Sequence, residues 1–218
     1  MISSNSRKLL LSGWLMENGK SEYDSPLRLQ KFLLFYEAFT KVSGETADFS
    51  NLKGYKRGPV FSNVWGDYTY ERPAFDAAAK KEYAAPHEPI NTERAKKSQF
   101  IVSVLSEREL SEFTHKLNLW KSKKPRIMQG ERQVPLYESD FSEDDAHMIR
   151  LLDQMYPASM IDNSHVIALD NHYFVFSKQD AKRLTEQHFD TLSALSETET
   201  LMNPVFVEMD EKGCLIVD

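Results

Sequence analysis

A chain of 218 residues, 41% hydrophobic and 28% charged, has the balance of a folded protein that buries a sizeable core, which sets intrinsic disorder aside. Its formal net charge of −6 gives no basic footprint over the whole protein, so nucleic acid has only a local basic face to use. Cys214 is the only cysteine; this excludes an intrachain disulfide and a cysteine-rich metal cluster, and the residue reads as a half-buried strand position.

Residues 7–18 predict an amphipathic helix, with Leu10, Trp14 and Leu11 toward one side and Gly19 at its C-terminus. Arg7 and Lys8 before the apolar run 9–16 superficially imitate an export signal. No small-residue cleavage pattern follows, so a cytoplasmic protein without a membrane span is expected. Residues 20–24 read as a polar connection. Ser25 and Pro26 then mark a helix start, because serine caps and proline lacks only an N–H that has no partner there. The helix that follows carries apolar residues around most of its circumference from Leu27 to Phe39, which predicts a central helix contacted on several sides.

Two glycines and a proline in residues 52–60 predict a structured turn, with Pro59 opening a third helix through Phe61, Val64, Trp65 and Tyr68. A short helix over 75–83 and a loop around Pro86 and Pro89 come next. Thr92 and Ser106 are expected to start helices over 92–104 and 107–120, Ser106 with Glu109 at capping-box spacing. Residues 121–126 form a charged connection, and Val134 to Leu136 a short strand. Ser142 and Asp145 cap a helix that stops before Pro157. Strands over 165–169 and 172–176 flank the turn Asp170-Asn171. A helix capped by Ser177 runs to about Leu195, and a last hairpin turns at residues 210–213. The expected fold is mainly α: a multi-helix core over residues 1–162 and a β-β-α-β-β extension over 163–218.

Residues 26–68 resemble the Panacea (SocA-like) antitoxin domain. The resemblance rests on Leu29-Gln30-Lys31 inside an aromatic helix, then Tyr55-Lys56-Arg57-Gly58-Pro59-Val60, then Val64, Trp65 and Tyr68. The later block from Leu110 to His115, with Trp120, is similar to a helix of that family. The acidic helix of residues 142–156, which usually precedes that block, follows it here, and the tail looks like an addition. What the resemblance implies is an antitoxin that neutralises a protein toxin encoded beside it by direct binding. In some members the antitoxin also hands the toxin to a cytosolic protease.

The partner-binding residues expected on this basis are Gln30, Lys31, Tyr55, Lys56, Arg57, Gly58, Pro59, Val60 and Trp65. Gln30 and Lys31 have two readings: an exposed first-turn pair, or a glutamine holding the Gly58-Pro59 backbone with a lysine near a partner's carboxylates. Trp65 and Tyr68 suit either the core or an interface anchor. Residues 94–126 carry nine Lys/Arg against three Asp/Glu, and residues 137–162 seven acids against one base. These segments either face each other or are separately solvated. The alternative function, a nucleic-acid-binding regulator, would place Lys121, Lys123, Lys124 and Arg126 on phosphates, although no helix-turn-helix signal supports base reading. The six histidines show no metal-ligand spacing. No nucleophile elbow or phosphate loop is present, so no catalytic residue, metal or cofactor is expected.

Overall fold

In a computed structural model, which describes residues 2–85, 89–197 and 201–217, the chain folds around one buried helix. Ser25 Oγ accepts a hydrogen bond from the Arg28 N–H at 3.2 Å, Pro26 takes the first helical position, and the helix runs over Pro26–Val42. Every side chain from Leu29 to Thr40 is buried. An apolar surface this wide needs neighbours on all sides, and it has them.

In chain order, α1 (Ser6–Asn18) and α2 (Lys20–Asp24) lead into this central helix, α3. A hairpin of β1 (Leu52–Tyr55) and β2 (Gly58–Phe61) then precedes α4 (Ser62–Tyr70) and α5 (Arg72–Ala84). Next come α6 (Thr92–Ser103), α7 (Glu107–Lys116), α8 (Asn118–Lys121), α9 (Lys124–Met128), β3 (Val134–Pro135), α10 (Glu143–Met155) and α11 (Ala158–Asn163). The tail holds β4 (Ser164–Leu169), β5 (His172–Ser177), α12 (Lys178–Ala181), α13 (Glu186–Ser196), β6 (Val205–Met209) and β7 (Leu215–Val217). The fold is mainly α, with an antiparallel sheet in the order β2-β1-β3 and a mixed sheet in the order β4-β5-β6-β7. Among the described residues no helix is long and apolar enough to cross a membrane.

Helices α1, α4, α6, α7 and α10 and strand β2 pack on α3. One carboxylate inside this core is well compensated. Glu37, fully buried, receives Arg7 through Nε at 2.8 Å and a terminal nitrogen at 2.7 Å, Lys8 Nζ at 2.5 Å, and the Asp48 N–H at 2.9 Å. Lys8 also donates to the Asp48 carbonyl at 2.7 Å, and its ammonium lies 4.3 Å from the centre of the Phe61 ring. Burial pushes the Lys8 amine down, and the two carboxylates oppose that effect. A buried ion cluster persists only when its geometry is this complete.

The tail has its own apolar cluster, Phe174, Phe176, Leu192, Val205 and Val207, while Val175 joins the main core. Alternation along a strand explains the division, since successive side chains point to opposite faces. Arg28 ties the two parts together through the Tyr173 hydroxyl at 2.5 Å, and Asn203 donates to Glu109 at 2.9 Å.

Several sequence expectations change. On α1, Leu11, Trp14, Leu15 and even Lys8 are buried while Leu10 is half-buried, because α1 lies between α5 and α3 and covers more than one face. Residues 20–24 are a helical turn. Residues 52–61 are a hairpin, and Pro59 stands in β2, with the third helix starting at Ser62. Asn91 caps α6 in place of Thr92. The expected helix 107–120 breaks at Leu117, where the Asn118 and Leu119 N–H groups donate to Asp145 at 2.6 and 2.9 Å. Residues 124–128 are helical, and the single tail helix is two, α12 and α13. The two expected tail hairpins are present, joined by a parallel pairing of β5 with β6. Cys214 is exposed and precedes β7. Of the loop around Pro86 and Pro89, residues 86–88, with His87, lie outside the described residues.

Candidate partner-binding site

The start of α3 and the β1–β2 hairpin are held together by buried polar side chains. Gln30, 3% exposed, accepts from the Phe61 N–H at 2.8 Å and points its amide nitrogen at the Phe61 carbonyl, 3.5 Å away. Gln30 therefore holds the backbone of the hairpin at Phe61, two residues beyond the Gly58-Pro59 segment where the contact was expected. The exposed-pair reading of Gln30 and Lys31 does not hold. Lys31 is 1% exposed and donates to the Pro59 carbonyl at 3.2 Å.

Gly58 makes that burial possible. Its φ is +105°, and a Cβ there would stand 2.5 Å from Lys31 Nζ and 2.6 Å from Thr114 Oγ1. Only glycine satisfies both the backbone and the space. The Trp120 indole N–H donates to the Tyr55 carbonyl at 2.9 Å, fastening the hairpin to α8.

Outside this clamp lies a cavity of about 400 Å³. Seven of the nine expected residues line it: Gln30, Lys31, Tyr55, Lys56, Arg57, Val60 and Trp65, joined by Pro26 and Leu27. Gly58 and Pro59 are buried and support it from behind. Tyr55 and Trp65 pack with ring centroids 6.3 Å apart, and Tyr70 meets Trp65 edge-on at 5.6 Å. Trp65 is half-buried whereas Tyr68 is a core residue, its hydroxyl donating to the Tyr23 carbonyl at 2.8 Å. Lys56 and Arg57 are exposed; Arg57 pairs with Glu107 at 2.7 Å, and Glu107 also accepts from the Ser25 hydroxyl at 2.8 Å.

Electrostatically the site is one-sided. Burial pushes the Lys31 amine down to about 7, and the Arg57 charge acts in the same direction. Burial, and then the Lys31 charge, lower His115 as well. His115 stacks on Trp120 at a centroid distance of 3.9 Å, and its buried Nε2 has no hydrogen-bond partner among the described residues. The Lys31, Thr114 and His115 group was not legible as a cluster. The block from Leu110 to His115 carried the resemblance, yet nothing in its spacing says that it lies under Gly58.

Two of the four residues of the alternative basic stretch are neutralised. Lys123 pairs with Asp140 at 2.7 Å, and Arg126 reaches Glu131 at 2.7 and 2.5 Å, leaving Lys121 and Lys124 exposed. The opposed charged segments do face each other: Lys96 meets Asp162 at 2.7 Å, Lys97 meets Asp153, and Lys123 meets Asp140. Among the described residues no three His, Cys, Asp or Glu side chains gather as a metal site. Compared with family profiles, with curated proteins and with solved structures, the chain gives no match.

Proposed function

We propose that the chain is a cytoplasmic antitoxin that neutralises a cognate protein toxin by direct binding, with the cavity between α3 and the β1–β2 hairpin as the capturing face. The observation that carries this reading is the convergence of seven residues, scattered between positions 30 and 65, on one open cavity. The resemblance to the Panacea domain agrees with it, since the same residues carry that resemblance. The chemistry suits protein capture. Trp65 and Tyr55 offer rigid aromatic area, Arg57 a forked cation, and aromatic and arginine anchors dominate protein interfaces.

The mechanism is stoichiometric. The clamp of Gln30 on Phe61 and the glycine at position 58 hold the hairpin rigid before binding, so little ordering cost falls on association. Co-expressing the chain with the product of the adjacent gene tests the reading. The expected result is relief of growth arrest together with a co-purifying complex that Trp65→Ala and Arg57→Glu each weaken. A neighbour that is harmless alone, or a toxin that forms no complex on mixing, refutes it.

The nucleic-acid alternative has less support, because Lys123 and Arg126 are already paired with acids. Salt-dependent binding of its promoter DNA, lost in a Lys121→Glu/Lys124→Glu variant, would restore that alternative.

A further inference from the structure

Three lysines of the described chain are buried: Lys8, Lys31 and Lys97. Lys8 meets Glu37 and Asp48, and Lys97 meets Asp153. Lys31 has no acid partner among the described residues, and one carbonyl, that of Pro59, is its acceptor. An ammonium removed from water without a counter-charge is costly, and a fold does not need one there, since an apolar side chain of the same length fills the space as well. The charge deficit is local. No carboxylate lines the cavity, while Lys31, Lys56 and Arg57 all do. The remaining walls are the apolar or aromatic Pro26, Leu27, Val60, Tyr55 and Trp65 and the amide of Gln30, which is engaged with Phe61.

A cavity with an apolar body and an uncompensated cation in its wall is complementary to a group with the opposite arrangement. We propose that it takes an acidic side chain of the bound protein, inserted beside an apolar or aromatic neighbour, with the carboxylate supplying the counter-charge that Lys31 lacks. This inference rests on the capture reading and names the chemistry the partner must present. Lys31 is part of the cavity wall, and rotation about its side-chain bonds would let the ammonium exchange its acceptor, the Pro59 carbonyl, for the carboxylate. The other charged or titratable groups around Lys31 are Tyr55, Lys56 and Arg57 of the hairpin and His115 of α7, with Glu107 beyond Arg57. None of them is a free carboxylate that would compete.

Two consequences separate this from a generic apolar contact. The pocket discriminates a carboxylate from its amide isostere. Binding also takes up a proton wherever the free lysine is neutral, so affinity falls as pH rises above about 7.

The test uses the full chain and two blocked dipeptides, acetyl-Trp-Glu-amide and acetyl-Trp-Gln-amide, titrated by heteronuclear NMR at pH 6.5 and 8.5. The expected result is chemical-shift change at Lys31, Lys56 and Trp65 and a preference for the Glu peptide of roughly tenfold or more at pH 6.5. That preference shrinks at pH 8.5 and is lost in Lys31→Met, which still binds both peptides equally. The pH comparison is made on the unaltered chain, so it stands even if the variant fails to fold. Equal affinity for the two peptides, no binding of either, or a preference unchanged by pH overturns the inference. Absence of the preference in the unaltered chain beside an intact toxin complex overturns this inference alone; the preference without any toxin complex refutes the capture reading and leaves the carboxylate site.

Discussion

Replacing Gly58 by alanine places a methyl group 2.5 Å from Lys31 Nζ and 2.6 Å from Thr114 Oγ1, on a residue whose φ is +105°. The backbone conformation alone costs a non-glycine residue on the order of 1–3 kcal/mol. The Lys31 tip can swing away, but only by leaving the Pro59 carbonyl, which strips a buried ammonium of its acceptor at a further cost of about 1–3 kcal/mol. Thr114 has less freedom, because its hydroxyl bonds the Leu110 and Ser111 carbonyls at 3.0 and 3.1 Å on a packed helix. The sum is roughly 2–6 kcal/mol. At a urea m-value of about 2 kcal/mol/M this lowers the unfolding midpoint by about 1–3 M with m unchanged. The double variant Gly58→Ala/Lys31→Met removes the stranded charge and is expected to recover the second part but not the backbone part. A midpoint shift below about 0.3 M for Gly58→Ala would refute the claim that this glycine packs Lys31 under the hairpin.

Glu37→Ala strands Lys8 inside the core and unpairs the partly exposed Arg7, and is expected to cost about 3–5 kcal/mol of unfolding free energy, measured by denaturation; a loss under about 1 kcal/mol would contradict the buried cluster. The Lys31 amine, ordinarily protonated up to 10.5, releases its proton at about 7 in the fold. Between those values the unfolded chain binds more protons, so this group makes stability rise with pH. Lys31→Met is therefore expected to stabilise most below pH 7, by an order of a few kcal/mol, with the advantage shrinking toward pH 10. Urea midpoints of both proteins across that range check it. Trp65→Ala is expected to weaken the toxin complex by about 2 kcal/mol or more while leaving the unfolding midpoint nearly unchanged, as read by calorimetric titration and thermal melts.

Much of the fold was legible because local chemistry and tertiary packing agree. Ser25-Pro26 starts α3, and the apolar circumference of that helix announces its burial. The capping boxes at Ser106/Glu109 and Ser142/Asp145 are both formed, and the Asp170-Asn171 turn joins β4 to β5. The hairpin at 52–61 was harder, because Gly54, Gly58 and Pro59 all read as strand breakers. Topology resolves this. Strand β2 is the edge of its sheet, where a proline's missing N–H is tolerated, and Gly54 is needed because a Cβ there would stand 2.5 Å from Ile127 Cδ1. The face of α1 was placed wrongly because the consecutive Leu9, Leu10 and Leu11 point to different sides of the helix and periodicity alone does not say which of them the core takes.

Seven of the residues that line the cavity were named from the sequence, and the burial of Gln30 and Lys31 was not legible there. Lysine is among the residues least often buried, so nothing in Leu29-Gln30-Lys31 signals that Lys31 lies 1% exposed under a glycine. That depends on Gly58 from β2 and Thr114 from α7, brought together only by the three-dimensional fold. The pairing of the basic and acidic segments was one of two open readings, and long-range ion pairs such as Lys96 with Asp162 decide it.

Hydrogen exchange of the full chain, with and without the proposed toxin partner, tests the capture account most directly. The account predicts added protection concentrated in residues 26–31 and 55–65, and its loss in Trp65→Ala. Protection confined to the tail strands, or none at saturating toxin, would contradict it.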